Sequence, residues 1–405
     1  MPIQRFLRYV TYPTMSCEDS ATCPSTKKQL LLADALVKDL KEIGLCDAAV
    51  DANGYVSATL AANCDKKLPV LGLIAHMDTS PDAPDDPVRP RIVLYDGADI
   101  ALDAQNGLFL RQSDYPCLAR YRGKHLIVTD GHTLLGADDK AGVSEIIAAL
   151  EALQKSNAPH GTVRICFTPD EEIGRGADLF DVKAFGADFA YTVDGGAIGE
   201  LEYENFNAAS CEVLIRGINI HPGDAKGRMK NACRIAMEFE SLLPGDEIPE
   251  KTEQYEGFHH LCDMSGTVEK ATLSYIIRDH DTDKFNAKKK AFCKAAEQLN
   301  ARYGADTVSL SLRDSYYNMA SILREHMDLI DRAKAAMQCV GITPVIKPIR
   351  GGTDGARLSY LGLPCPNLCT GGENFHSRFE FACVEDMEAI TKMLVRLIQG
   401  VAYEI

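Results

Sequence analysis

Several short stretches of this chain carry side chains that suit a divalent cation. In "ICFTPDEEIGRGA" (165–177) an apolar run ends at Pro169 and is followed at once by Asp170, Glu171 and Glu172. Like charges held this close raise one another's pKa, a cost that solvent dilutes and a cation reverses. His76 and Asp78 leave a second apolar run in "GLIAHMDTSPD". Asp138 and Asp139 sit in the Gly-flanked turn of "LLGADDKAG", Asp194 closes "YTVDGG", and His376 lies in "GGENFHSRFE". Taken singly, each has an ordinary explanation. A lone Asp at a strand end, such as Asp138 or Asp194, usually caps the next helix, and a lone His376 fits a hydrogen-bonded core histidine. Together they make a different pattern, because every one falls at a strand end or in a Gly-flanked turn.

Two divalent ions about 3.5–4 Å apart polarise a carbonyl and acidify a shared water. Such a centre needs two imidazoles, a bridging carboxylate and a further carboxylate for each metal. His76, Asp138, Asp194, Glu172 and His376 supply that set. Asp78, two residues beyond His76, is placed to hold the imidazole in its metal-binding tautomer. Glu171, beside Glu172 but facing differently, is free to take a proton as general base. Asp170 is expected to stay solvated.

The elements that must position these residues follow from hydrophobic patterning. "LPVLGLIAH" (68–76), "TVRICFT" (162–168) and "DFAYTV" (188–193) are continuous apolar runs, as strands buried on both faces require. "AGVSEIIAALEALQK" (141–155) has helical spacing. This rhythm predicts an α/β fold with a mostly parallel sheet and helices on both faces, in which ligands gather outside the carboxyl ends of the strands. From about residue 208 the texture changes. "SCEVLIRG" (210–217), "GTVEKATLSYIIRD" (266–279) and "DTVSLSLRDSY" (306–316) alternate, and helical patterns span 227–244 and 283–304. A smaller α+β sandwich inserted over residues 209–317 is therefore expected, dividing the main domain into 1–208 and 318–405. After it come a helix over 322–339, a loop over 347–364 and an amphipathic helix over 384–401. "SPDAPDDPVRPR" (80–91) reads as a surface loop.

A chain of 405 residues is too long for one ordinary core, in keeping with two domains. The formal charge of −15 argues against a nucleic-acid surface. No window approaches a membrane span or a signal peptide, so a cytoplasmic protein with no membrane partner is expected. The 14 cysteines contain no CxxC pair and are expected to be reduced and mostly buried; Cys365 and Cys369 lack the second pair that a zinc site would need.

"GLIAHMDTSPD", "TLLGADDKAG", "FTPDEEIGRGA", "YTVDGG", "IRGGTDGA" and "CPNLCTGGENFHSRFE" closely resemble the co-catalytic di-zinc exopeptidases. The family includes tripeptide aminopeptidases, dipeptidases and N-acyl-amino-acid deacylases. The likeness runs from about residue 5 to residue 400, and "HMDTSPD", "GGTDGARLS" and "NFNAAS…HPGDAKG" point to the tripeptide aminopeptidase branch. The resemblance implies two Zn2+ per subunit, with Co2+ or Mn2+ as substitutes. It implies that His76 and Asp194 hold one ion, Glu172 and His376 the other, and that Asp138 bridges them. Asp78 is then the residue behind His76, and Glu171 the base for attack by metal-activated water on a tripeptide. "CEDSATCPS" near the N-terminus is less family-like, and no function is drawn from it.

A small peptide carries a free carboxylate, for which a planar guanidinium is the natural partner. By resemblance, the inserted domain acts as a lid, and His221, Arg278 and Arg350 close on the far end of the peptide. An ordinary surface salt bridge competes for Arg278 and Arg350, and turn capping competes for His221, which precedes Pro222 and Gly223. The alternating strands of the inserted domain also offer an edge through which two copies could pair as a homodimer. The rival functions are a dipeptidase or deacylase of the same family and a metal-binding protein without turnover. A nucleophilic hydrolase lacks the GxSxG elbow.

Overall fold

The computed structural model describes residues 2–403. Its main sheet has eight strands: β1 (Ala49–Val50), β2 (Val56–Leu60), β3 (Leu71–His76), β4 (Val163–Thr168), β5 (Phe189–Gly195), β6 (Glu200–Glu202), β7 (Val345–Ile346) and β8 (Asn367–Cys369). Their spatial order is β1-β2-β4-β3-β5-β8-β6-β7. The four central strands, β4, β3, β5 and β8, run parallel. All six residues of β3 are buried, as its unbroken apolar run demands of a strand covered on both faces.

Six helices matter here: α1 (Pro2–Tyr9), α2 (Gln29–Glu42), α3 (Ala137–Ser156), α4 (Met327–Cys339), α5 (Asp354–Tyr360) and α6 (Val384–Tyr403). On one face of the sheet, Leu73 packs with Ile146 and Leu150 of α3, Ile330 of α4 and Leu394 of α6. On the other, Ile74 packs with Ala190, Phe185 and Leu358 of α5. Successive residues of β3 thus feed opposite layers, the period-2 rule of a pleated strand. Each fully buried aliphatic side chain contributes about 1.5–3 kcal/mol, which offsets the cost of gathering carboxylates at one end of the sheet.

The chain divides into two compact units, one of residues 1–203, 321–347 and 353–405, the other of 204–320 and 348–352. The second unit has its own antiparallel sheet, in the order Phe258–Gly266, Lys270–Asp279, Asn207–Arg216, Val308–Tyr316. Its helices Ala232–Ser241 and Thr282–Tyr303 close a separate core around Val213, Leu273, Phe239 and Phe292. No helix among the described residues is long and apolar enough to cross a membrane.

The elements differ from sequence expectation at their ends. β3 begins at Leu71, not 68, and β5 continues to Gly195, so Asp194 lies within the strand. α3 begins at Ala137, which puts Asp138 and Asp139 in its first, non-helical turn. The helix expected over 227–244 starts only at Ala232, where Asn231 caps it by accepting from the Cys233 and Arg234 amides. The helix expected over 322–339 starts at Met327. The loop expected over 347–364 contains α5, capped by Thr353. The 80–91 segment is not wholly superficial, since Ala83, Asp85 and Val88 are buried. Among the cysteines, all 14 are free, but only five are buried and five are exposed.

Candidate metal centre

His76 ends β3, Glu171 and Glu172 follow β4, and Asp194 lies one residue from the end of β5. The carboxyl ends of three neighbouring parallel strands therefore deliver four of the expected residues to one place, where an open α/β sheet binds ligands. Asp138 arrives from the start of α3 and His376 from the loop before the strand Phe381–Cys383. His76 Nε2 lies 2.8 Å from Asp138 Oδ1 and 3.4 Å from Asp194 Oδ1. His376 Nε2 lies 2.8 Å from Glu172 Oε2 and 3.3 Å from Asp138 Oδ2. Two ligand groups result, His76–Asp138–Asp194 and Asp138–Glu172–His376, each with its ligand atoms within 4.8 Å of one another. Asp138 belongs to both, one oxygen to each histidine.

The ordinary explanations do not describe these residues. Asp138 makes no side-chain cap on α3, whose capping position is Gly136. A turn and a strand, not a helix, follow Asp194. His376 is exposed, at a positive φ of 60°, rather than in a core.

The electrostatics fit cations. Burial is the largest influence on Asp194, pushed up to about 6, and on Glu172, pushed up to about 8. Glu171 is also pushed well up, first by burial and then by Asp194. Burial opposes ionisation of Asp138 too, but hydrogen bonds from His376 and His76 more than offset it and hold that carboxyl low. Hydrogen bonds with Asp138 and Glu172 raise His376 to about 11. Glu172 Oε1 is buried without a hydrogen-bond partner among the described residues, which costs about 1–3 kcal/mol. A divalent ion held by each group would supply the missing partner and lower the raised carboxyls, and its uptake would release protons.

Asp78 does two jobs. His76 Nδ1 donates to the Asp78 backbone oxygen at 3.1 Å and stands 3.4 Å from its carboxylate, which fixes the proton on Nδ1 and leaves Nε2 for a metal. The same carboxylate accepts from the Glu171 amide at 3.0 Å and the Glu172 amide at 3.2 Å. Asp170 is the clear correction to the sequence reading. It is fully buried, not solvated, and accepts from the Ser25 amide, the Ser25 hydroxyl and Gln29 Nε2.

Four more carboxylates, to which the sequence assigns no role, support the site. Glu380 is buried and accepts from the Leu135, Gly136 and Asp138 amides at 2.7, 2.8 and 3.1 Å, gripping the turn that presents Asp138. Asp139 accepts from the His76 and Gly142 amides. Asp82 takes a hydrogen bond from His376 Nδ1 at 3.1 Å. Asp354 accepts from Thr168 Oγ1 at 2.8 Å and lies where a Cβ on Gly176 would fall, 2.2 Å away. The acidic doublet "DD" was a usable signal for Asp139. Asp82, Asp354 and Glu380 lie within "GLIAHMDTSPD", "IRGGTDGA" and "CPNLCTGGENFHSRFE", but as single carboxylates their spacing does not say what each one holds.

The three expected substrate residues all belong to the second unit. His221 is exposed, and its Nδ1 accepts from the Gly223 amide at 3.2 Å, a turn-capping contact. Arg278 donates to the Ala209 and Ile277 carbonyls and lies over the Tyr316 ring. Arg350 donates to the Gln254 and Glu256 carbonyls and lies over Phe206 and Phe258. Phe258 is also the cross-strand partner of Arg278. Both guanidiniums donate to backbone carbonyls and neither forms an ion pair among the described residues, so neither is an ordinary surface salt bridge.

A sequence profile of Peptidase family M20/M25/M40 matches residues 128–400. The chain belongs to that family. It is 54% identical to the peptidase T of Caldanaerobacter subterraneus subsp. tengcongensis over 399 residues, 98% of each chain. It is equally 54% identical to the peptidase T of Clostridium perfringens over 398 residues, again 98% of each. Among solved structures, the aminopeptidase PepT of Bacillus cereus aligns with a TM-score of 0.78 at 23% identity, over 99% of this chain and 98% of that one. A tripeptidase of Staphylococcus aureus aligns with a TM-score of 0.79 at 21% identity, over 99% and 98%. The M20 relationship and the α/β architecture with its inserted unit agree with the motifs singled out in the sequence.

Proposed function

We propose that this M20 peptidase is a di-zinc aminopeptidase that releases the N-terminal residue of tripeptides. The observation that carries the reading is the pair of three-ligand groups sharing Asp138, with Glu171 outside both groups but within electrostatic reach of Asp194, His76 and Glu172. Imidazole and carboxylate donors in this ratio suit Zn2+, and Co2+ or Mn2+ can replace it. His76 and Asp194 would hold one ion, Glu172 and His376 the other, with Asp138 shared. Ions bound there supply Lewis-acid polarisation of the scissile carbonyl and a water acidic enough to attack near neutral pH. Glu171, whose carboxyl burial pushes up, is the residue that would take a proton from the attacking water and return it to the leaving amine. Asp78 keeps His76 in the correct tautomer and, through its bonds to the Glu171 and Glu172 amides, orients base and ligand together.

The tripeptide preference rests on the peptidase T relatives. It is supported by Arg278 and Arg350, two cations without an acidic partner that suit a peptide carboxylate. Both belong, with His221, to the second unit, whose outer strands Phe258–Gly266 and Val308–Tyr316 are the sheet edges through which two copies would pair.

The test compares hydrolysis of free and N-acetylated di-, tri- and tetrapeptides before and after chelation. Free tripeptides should be cleaved fastest, and chelation should abolish turnover. Preference for acetylated substrates would instead indicate a deacylase, and preference for dipeptides a dipeptidase. Glu171→Gln should remove turnover while metal stays near two ions per chain. Retained activity would exclude Glu171 as the base.

A further inference from the structure

The N-terminal segment "TMSCEDSATCPSTKKQ", residues 14–29, found no role in the chemistry above, yet it is tied to both loops that carry the centre. At its start, Met15 bridges Thr79, the residue after Asp78. Thr79 donates its amide to the Thr14 oxygen, and Ser16 donates its amide to the Thr79 oxygen at 3.1 Å. Asp85 accepts from the Thr14 and Met15 amides, each at 2.7 Å. Further along, Asp170 accepts from the Ser25 amide at 2.7 Å, from the Ser25 hydroxyl and from Gln29 Nε2 at 2.7 Å. Arg175 reaches back to the same segment, donating to the Ser20 and Thr22 oxygens at 2.7 and 3.0 Å.

The placement of these ties is specific. Asp170 immediately precedes Glu171, and Arg175 lies three residues beyond Glu172, so the strap grips the loop on either side of both glutamates. Asp170 and Gln29 are fully buried and Ser25 nearly so, which makes the polar cluster dry and its bonds strong. Asp170 also adopts the left-handed conformation, φ 59° and ψ 25°, which a non-glycine residue holds only when its surroundings fix it. That conformation sets the direction in which the chain leaves Pro169, and therefore where the Glu171 carboxylate points.

We propose that this strap positions the general base: Ser25 and Gln29 lock Asp170, and Asp170 sets the Glu171 side chain for proton transfer. None of the three touches substrate; they are positioning residues, and the inference rests on the reading of Glu171 given above. A purely structural tie would affect melting alone. A positioning tie lowers turnover while leaving substrate affinity and metal content in place, because the Glu172 carboxylate is separately anchored through Oε2 by His376 Nε2 at 2.8 Å. Misplacing a catalytic group by about 1 Å can cost about 100-fold in rate.

The test uses the full-length zinc-loaded protein and trialanine. Ser25→Ala removes one donor and should lower kcat about tenfold. Asp170→Asn removes the anchor and should lower it about 100-fold. KM and zinc per chain should stay within about twofold of the parent in both. Should Asp170→Asn fail to fold, Ser25→Ala decides alone. Unchanged kcat overturns the proposal. So does a rise in KM without loss of kcat, and so does a fall in zinc content that accounts for the lost activity. Failure of the parent protein to cleave trialanine would strike the aminopeptidase reading itself, and zinc titration of the variants would keep the two failures apart.

Discussion

Replacing Glu380 should weaken the metal centre without touching a ligand. Its carboxylate is 2% exposed and accepts three backbone hydrogen bonds, two at Oε2 from Leu135 and Gly136 and one at Oε1 from Asp138. Glutamine has only one oxygen to offer. With that oxygen turned to Leu135 and Gly136, the amide nitrogen faces the Asp138 N–H, and donor meets donor. One charge-assisted bond is lost and two lose their charge, for about 2–4 kcal/mol in all. That corresponds to a fall in melting temperature on the order of 5 °C for a unit of this size. Glu380→Ala strands all three donors and should cost more. Because Asp138 belongs to both ligand groups, affinity at both should drop, by about 10–100-fold for loss of a residue that orients a ligand. The assay is calorimetric Zn2+ titration of the metal-free protein, alongside its thermal melt. A Glu380→Gln variant that binds zinc and melts like the parent would refute the reasoning, since the bonds would then not be fixing the Asp138 turn.

Gly176→Ala would drive a methyl to within 2.2 Å of Asp354 Oδ2, a buried oxygen already held by Thr168. Overpacking of this kind should cost about 1–3 kcal/mol, visible in thermal melts, and an unshifted melt would show that the loop gives way freely. Glu202 is buried, and that burial pushes its carboxyl up to about 8 from the ordinary 4.5. Between those values the folded chain holds a proton that the unfolded chain releases. Its contribution is therefore complete below about pH 4.5 and declines as pH rises toward 8, by at most about 1.4 kcal/mol per pH unit. Glu202→Gln keeps an acceptor for Asn367 without the titration, so its melting temperature should gain on the parent's as pH rises from 5 to 8. A constant difference across that range would contradict the assignment. Zinc at 1,000 times its dissociation constant should stabilise the fold by about 4 kcal/mol and be reversed by chelator, whereas a melt indifferent to zinc would argue against ion binding at the two groups.

Much of this was legible in the sequence because it is local. Continuous apolar runs locate β3, β4 and β5, and the rule that parallel strands present ligands at their carboxyl ends brings His76, Glu172 and Asp194 together before any coordinate is known. Helix ends were less legible. Asn231 and Thr353 start helices through single side-chain bonds that hydrophobic patterning does not register, and α5 is too short to show a periodicity.

What the sequence determined by itself is the inventory and its rough address: two histidines and a surplus of carboxylates at the ends of buried strands. What only the tertiary structure decided is which carboxylate does what. Asp170 looks like the most dispensable acid of its triplet and is the most thoroughly buried, because residues 25 and 29, about 145 positions away in the chain, supply its donors. Glu380 grips a turn about 245 residues distant. A carboxylate's role depends on the N–H groups and cations around it, and those are assembled by packing across long separations that the local pattern of residues does not encode.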